Sequence, residues 1–224
     1  MRQQAETSAC TRARACIISE LPGGERIDIA GAGGGLGHFA VQMAKIHALK
    51  VIGSAGKSTT MDLLRPLGAD PVVDYSKGDL AEEILILTDG RGVDVVYDST
   101  DSPSSHRQSS AVTASGGEYI RRGTSAQLRR FASLDLSSEV EARGGMKIIG
   151  YLARFSTDLE FQTPKARASV IQGLKQAVRW TEERKLKAEI TRTVPLDPLS
   201  LQRAFEAFSR GEIDMDELAV RCLE

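Results

Sequence analysis

The sequence predicts an α/β fold, a doubly wound parallel sheet followed by a C-terminal extension of helices and strands. Three observations lead there. From Arg26 onward, short β-branched runs alternate with segments of helical periodicity, the pattern of βαβ units. A turn with five glycines in seven residues, Gly31 to Gly37, falls between the first strand and the first helix. The 224 residues are 41% hydrophobic and 26% charged, the balance of an ordinary folded protein with one full domain and a remainder.

Taken in order, IDIA (Ile27 to Ala30) reads as the first strand. Leu36, Ala40, Met43 and His47, joined by Phe39 and Ile46, fall on one face of the helix that follows. VIGS (Val51 to Ser54) is the second strand, and a helix carrying Met61, Leu64 and Leu67 stops at Gly68. PVVD (Pro71 to Asp74) is a short third strand. Leu80, Ile84 and Leu87 recur at i, i+4, i+7 and mark a third helix ending near Asp89-Gly90. VDVVYD (Val93 to Asp98) has the continuous apolar character of a strand buried on both faces. Ser99 to Ser110 holds six serines and Pro103, and reads as a loop leading into the first turns of a helix. Gly117 to Gly123 and Met146 to Gly150 are the fifth and sixth strands. Beyond them, Val170, Ile171, Leu174 and Val178 mark a long amphipathic helix, and Glu189 to Leu196 is a strand candidate ended by Pro195. A helix with Leu201, Phe205 and Phe208 on one face precedes a last strand candidate, Leu218 to Leu223. These two late strands stand outside the alternation and need partners of their own.

The 29 Lys and Arg against 30 Asp and Glu leave a net charge of −1, which gives no general attraction to a phosphate backbone or an anionic membrane. No nucleic-acid or membrane partner is expected. The longest uncharged run, Ile29 to Ala44, is interrupted by glycines and falls short of the roughly 20 residues of a bilayer span. The first residues carry Arg2, Glu6, Arg12 and Arg14 with no apolar stretch, so no secretory signal is read and a cytoplasmic location is expected. Cys10, Cys16 and Cys222, like His38, His47 and His106, lack metal-ligand spacing, and no metal is expected.

The glycine turn carries the chemistry. Glycine allows a tight bend and a close approach of backbone N–H groups to a pyrophosphate, and the helix that follows adds a favourable dipole. Two spacings coexist, Gly31-xx-Gly34-xx-Gly37 and Gly31-xxx-Gly35-x-Gly37. The second resembles the short-chain dehydrogenases, whose active site needs Tyr-xxx-Lys. Tyr75, Tyr97, Tyr119 and Tyr151 are followed four residues on by Asp79, Asp101, Gly123 and Phe155, so that reading fails. A methyltransferase or an NAD site would place a carboxylate at the end of the second strand. Here Ser54, Ala55, Gly56, Lys57 and Ser58 occupy that place, with no carboxylate until Asp62. A neutral pocket with one lysine and two hydroxyls suits a 2′-phosphate, so NADP(H) is favoured over NAD(H).

An ordered set of blocks, PGGERIDIAGAGGGLGHFAVQMAK, VIGSAGKS, LGADPVVDY, GRGVDVVYDS, SGGEYIRRG and KAEITRTVPL, resembles the medium-chain dehydrogenase/reductases, on the side of the zinc-independent quinone oxidoreductases. The resemblance implies a Rossmann-type NAD(P)-binding domain over 26–156, preceded by a short segment, 1–25, and followed by a C-terminal extension, 157–224. It implies that Gly34, Gly35 and Leu36 face the pyrophosphate within the turn bounded by Gly31 and Gly37. Ser54, Lys57 and Tyr75 would then lie at the adenosine phosphate end, and Ser99 near the nicotinamide. Such enzymes carry a β-rich catalytic domain ahead of the cofactor domain, so the resemblance implies a truncated member. Its late strands, Glu189 to Leu196 and Leu218 to Leu223, would lack their usual neighbours and favour a homo-oligomer. The expected function is an NADPH-dependent oxidoreductase that transfers hydride to a small carbonyl, enone or quinone without zinc. The alternative is a non-catalytic dinucleotide-binding protein or an inactive paralogue. No catalytic residue is named.

Overall fold

The computed structural model of the chain describes residues 23–56, 58–100, 102–123, 146–152, 164–190, 192–210 and 218–221. The three cysteines, Lys57 and Asp101 lie outside the described residues.

The first ten elements are β1 (Arg26–Ala30), α1 (Gly37–Ile46), β2 (Lys50–Ala55), α2 (Ser58–Leu67), β3 (Val72–Asp74), α3 (Leu80–Leu87), β4 (Val93–Asp98), α4 (Pro103–Val112), β5 (Thr113–Gly123) and β6 (Lys147–Leu152). Their strands form one sheet in the order β3-β2-β1-β4-β5-β6, every pair parallel. The order reverses between β1 and β4, and the crevice at such a switch point is where α/β sheets bind ligands.

Strand alternation divides the core in two. Ile27, Ile29, Val51, Val95, Tyr97 and Ile120 meet α1 and α2 on one face. Ile52, Val96 and Tyr119 meet Leu80 and Ile84 of α3 and Val112 of α4 on the other. The second face also carries Asp28, which lies opposite Ile52 and Val96 in register.

The serine-rich stretch folds further than the sequence suggests. The helix begins at Pro103 because Ser102 and Ser105 cap it reciprocally: Ser102 Oγ accepts from the Ser105 N–H at 3.1 Å, and Ser105 Oγ accepts from the Ser102 N–H at 3.0 Å. Proline at the first helical position adds a preset φ.

The remaining elements are α5 (Pro164–Glu182), β7 (Arg192–Pro195), α6 (Pro198–Ser209) and β8 (Leu218–Arg221). The two late strands stay outside the six-stranded sheet and find partners in one another: β7 and β8 pair in parallel, Arg192 opposite Leu218 through Pro195 opposite Arg221. A parallel pair needs a crossover, and α6 supplies it. β7 is shorter than the expected Glu189 to Leu196 because the chain before it is held by α1. Gln42 Nε2 donates to the Lys187 carbonyl at 2.9 Å, Gln42 Oε1 accepts from the Lys187 N–H at 2.9 Å, and the Glu189 N–H reaches His38 Nε2 at 3.4 Å. Of the face expected for α6, one residue does not face inward. Phe205 is 68% exposed, and Ala204 and Ala207 are buried instead.

Ala177, Trp180 and Leu186 belong to the same core cluster as α1, and the Trp180 ring meets His47 edge-on with centroids 5.5 Å apart. α1 is therefore buried on nearly all sides, against the sheet on one and α5 on the other. α5 thus packs with the Rossmann-type sheet, although the sequence pattern assigns it to the extension.

Candidate functional site

β1 ends at Ala30, and Gly31 turns the chain with φ +74°, a region side chains rarely adopt. The Gly34 N–H closes the turn onto the Gly31 carbonyl at 3.0 Å. A side chain on Gly37 would put its Cβ 2.1 Å from the Gly31 oxygen, so only glycine lets α1 start this close to the strand. Leu36 stands at the cap position with no side-chain cap, and the first turn of α1 has no acidic residue. Among the described residues no acceptor meets the N–H groups of Gly35 and Leu36. A helix start with open donors and an unneutralised dipole is an anion site.

Two serines brace this turn. Ser54 Oγ donates to the Ile29 carbonyl at 3.4 Å and accepts from the Gly31 N–H at 3.3 Å. Ser99 Oγ donates to the Ala30 carbonyl at 2.9 Å, so its hydroxyl secures the end of β1. Thr100 follows, held by its N–H and its hydroxyl on Asp98 Oδ1 at 2.9 and 2.7 Å.

Below the turn, on the α3 and α4 side, lies a cavity of about 330 Å³. Gly31, Ser54, Tyr75 and Thr100 line its mouth. The half-exposed Tyr75 ring rests on Gly56, where an added Cβ would come within 2.7 Å of it. Beside Tyr75, the Ser76 hydroxyl and then Lys77 hold the Asp74 carboxyl down to about 2.

Asp98, at the end of β4, is fully buried and anchors a polar chain. Its Oδ2 accepts from Ser105 Oγ at 2.8 Å and from the Tyr119 hydroxyl at 3.0 Å. The His106 Nδ1 touches the same hydroxyl, and His106 Nε2 lies 3.1 Å from an Arg121 nitrogen. Arg121 can only donate, so Nε2 accepts and the His106 proton sits on Nδ1. Burial, then the charge of Asp98, raises the Tyr119 phenol above its ordinary range, so Tyr119 stays a donor. Arg121, His106, Tyr119 and Asp98 thus form one directed series that ties α4 and β5 to the end of β4.

Asp28 is different. It is 1% exposed, lines the inner end of the cavity, and its Oδ1 has no hydrogen-bond partner among the described residues. Burial first, and the negative charge of Asp98 second, push its pKa up to about 8.

Of the sequence-predicted site residues, Gly31, Ser54 and Tyr75 come together at one cavity, and Gly34, Gly35, Leu36 and Gly37 form the turn above it. Ser99 braces the turn and is not among the cavity's lining residues. Lys57 lies outside the described residues. Sequence reading missed Asp28 as a site residue, although an aspartate inside the IDIA run, on a strand buried on both faces, is the kind of signal that marks one. Among the described residues no three His, Cys, Asp or Glu side chains gather as a metal site, and no helix is long and apolar enough to cross a membrane.

Residues 35–176 match the family described as zinc-binding dehydrogenase. A phenolphthiocerol/phthiocerol polyketide synthase chain of Mycobacterium tuberculosis is 31% identical over 194 residues, 86% of this chain and 8% of that protein. The quinone oxidoreductase of Pseudomonas aeruginosa is 44% identical over 80 residues, 36% of this chain and 25% of that protein. The chain thus spans a quarter or less of these two curated relatives. Among solved structures, the nucleotide-binding subdomain of the enoylreductase domain of PpsC from Mycobacterium tuberculosis superposes with a TM-score of 0.62 at 29% identity, covering 83% of this chain and 98% of that one. With the turn, the switch-point crevice and these matches together, the chain belongs to the zinc-binding dehydrogenase family of the medium-chain dehydrogenase/reductases, and what it shares with them is their nucleotide-binding half.

Proposed function

We propose that the chain binds NADP(H) and serves hydride transfer to a small carbonyl, enone or quinone. The observation that carries this reading is the pair of N–H groups at Gly35 and Leu36, open at a helix start beside a cavity lined by Gly31, Ser54 and Tyr75. The pyrophosphate of a dinucleotide fits those donors, and the adenosine half fits the cavity. Lys57, next in sequence to Gly56 under the Tyr75 ring, would provide the charge that a 2′-phosphate needs. When bound, the nicotinamide supplies the hydride; the protein supplies orientation and water exclusion. The family's description names zinc, but among the described residues no donor set for it is found, so no step here runs through a metal.

The likeness to a quinone oxidoreductase and to an enoylreductase subdomain supports the substrate class. The test is a fluorescence titration of the whole chain with NADPH, NADH as control, followed by NADPH oxidation against small quinones and enones. NADPH binding about tenfold tighter than NADH, a preference abolished by Lys57→Ala, supports the cofactor assignment, tenfold being the scale of one charge-assisted contact. Binding without turnover on any acceptor makes the chain a non-catalytic dinucleotide-binding protein. No binding of either coenzyme at millimolar concentration overturns the reading.

A further inference from the structure

The cavity beneath the glycine turn continues inward between α3 and α4 and ends on Asp28. Leu80 and Ile84 of α3 make one wall apolar, and α4 forms the facing wall with Val112 beside the polar Ser105, Gln108 and Ser109. A cavity of about 330 Å³ with one apolar wall facing a largely polar one suits a planar heteroaromatic ring. At its end stands a polar group that the fold leaves unanswered: Asp28 is 1% exposed, and its Oδ1 has no hydrogen-bond partner among the described residues. Two hydroxyl donors in the cavity wall are engaged elsewhere, Ser105 with Asp98 and Ser54 with Ile29.

The charge state of Asp28 follows from its surroundings. Burial disfavours its ionisation, and the charge that acts on it comes from another carboxylate, Asp98, so Asp28 is held as the neutral acid at neutral pH. A neutral carboxyl presents one O–H donor beside one C=O acceptor. That pattern matches the N7 edge of adenine, whose 6-amino group donates next to a ring nitrogen that accepts. The amides of Asn and Gln read adenine in nucleic acids by the same pair. A carboxylate could accept from the amino group only and would face the ring nitrogen with like polarity.

We propose that Asp28 is the base-reading residue of the dinucleotide site, its carboxyl pairing with the 6-amino group and N7 of adenine and so selecting adenine over a 6-oxo purine. This rests on the dinucleotide reading above and adds a specificity determinant to it. The glycine turn holds the phosphates whatever base they carry, and Asp28 decides which base enters the slot. On that edge a 6-oxo base presents two acceptors, O6 and N7, so the acid's single O–H can meet one of them while its C=O is left facing the other.

The test compares NADPH with its nicotinamide hypoxanthine counterpart, in which a carbonyl replaces the 6-amino group, by fluorescence titration of the full chain and of Asp28→Asn and Asp28→Leu. The wild type should bind NADPH about tenfold tighter than the hypoxanthine form, the scale of one matched against one unmatched buried hydrogen bond. Asp28→Asn, which keeps a donor beside an acceptor, should retain that preference. Asp28→Leu should bind the two coenzymes within about twofold of each other, through loss of NADPH affinity. Circular dichroism of each variant checks that it folds, and the wild-type comparison stands without any variant. Equal wild-type affinity for the two coenzymes overturns the adenine assignment and leaves the dinucleotide site in place, as does an Asp28→Leu variant with the preference intact. Binding of neither coenzyme overturns the dinucleotide reading and this inference with it.

Discussion

Replacing Asp28 by asparagine should stabilise the ligand-free chain, and by more at pH 7 than at pH 5. In the folded chain the carboxyl titrates at about 8, against 3.8 when exposed. Between those two values the folded state binds the proton that the unfolded state releases, so stability falls as pH rises. The contribution is complete below 3.8, declines from there, and levels off above about 8. At about 1.4 kcal/mol for each pH unit above 3.8, ionisation of the unfolded chain costs the native state about 1.7 kcal/mol at pH 5 and about 4.5 kcal/mol at pH 7. Asparagine has nearly the same shape and no proton to release. The stability gap between variant and wild type should therefore widen by about 2–3 kcal/mol over that interval, a large share of the 5–15 kcal/mol of a typical domain. Urea unfolding at pH 5, 6, 7 and 8, followed by the single tryptophan, measures it directly, since Trp180 sits in the core cluster shared with α1. Parallel pH profiles for the two proteins would show that Asp28 is ionised in the fold, and the argument for a neutral acid at the end of the cavity would collapse.

Three further substitutions separate the roles around the turn. Gly37→Ala places a methyl 2.1 Å from the Gly31 oxygen and should cost about 3 kcal/mol or more, read as a lowered urea midpoint together with loss of NADPH binding. Ser99→Ala removes the hydroxyl that donates to Ala30 and should cost about 1 kcal/mol in the same unfolding assay, while NADPH affinity falls less than in Gly37→Ala. Ser102→Ala removes the capping hydroxyl at the start of α4 and should cost about 1 kcal/mol, with Ser102→Asp restoring most of it; a thermal melt of the three proteins side by side decides.

The alternating half of the fold was legible because burial on both faces of a parallel sheet forces a strong pattern on each element. IDIA, VDVVYD and the Leu80, Ile84, Leu87 series therefore appear in sequence almost as they appear in the structure. The glycine turn was legible for a steric reason: Gly31 and Gly37 stand where a Cβ would strike the backbone or a neighbour. α4 was harder to read, since its stability comes from a reciprocal serine cap and not from an apolar stripe, and serines look the same in a loop. The late strands resisted for another reason. Nothing local in RTVP or LAVR says that each is the other's partner, and the shortening of β7 depends on Gln42 and His38, about 150 residues away in sequence. Phe205 misled because α6 buries its small residues, Ala204 and Ala207, where close approach matters more than side-chain area.

The two carboxyls on the α3 and α4 face make the same point about sites. Asp98 and Asp28 lie one strand apart, Asp98 opposite Ala30 and Asp28 opposite Val96, with similar burial. What distinguishes them is the supply of donors. Asp98 receives hydrogen bonds from Thr100, Ser105 and Tyr119, all on elements that follow it, and with them organises the loop at the mouth of the cavity. Asp28 receives none on Oδ1 and sits within the field of the first. One acid thus holds the frame while burial, with its charge added, keeps the other protonated, an arrangement in which neighbouring carboxyls acquire separate tasks through environment alone. A leucine at position 28 would complete the apolar row with Ile52 and Val96 and pack against α3 without a buried polar atom left over. The aspartate forgoes that packing, and the group able to compensate it is one that enters the cavity from outside with a donor and an acceptor side by side.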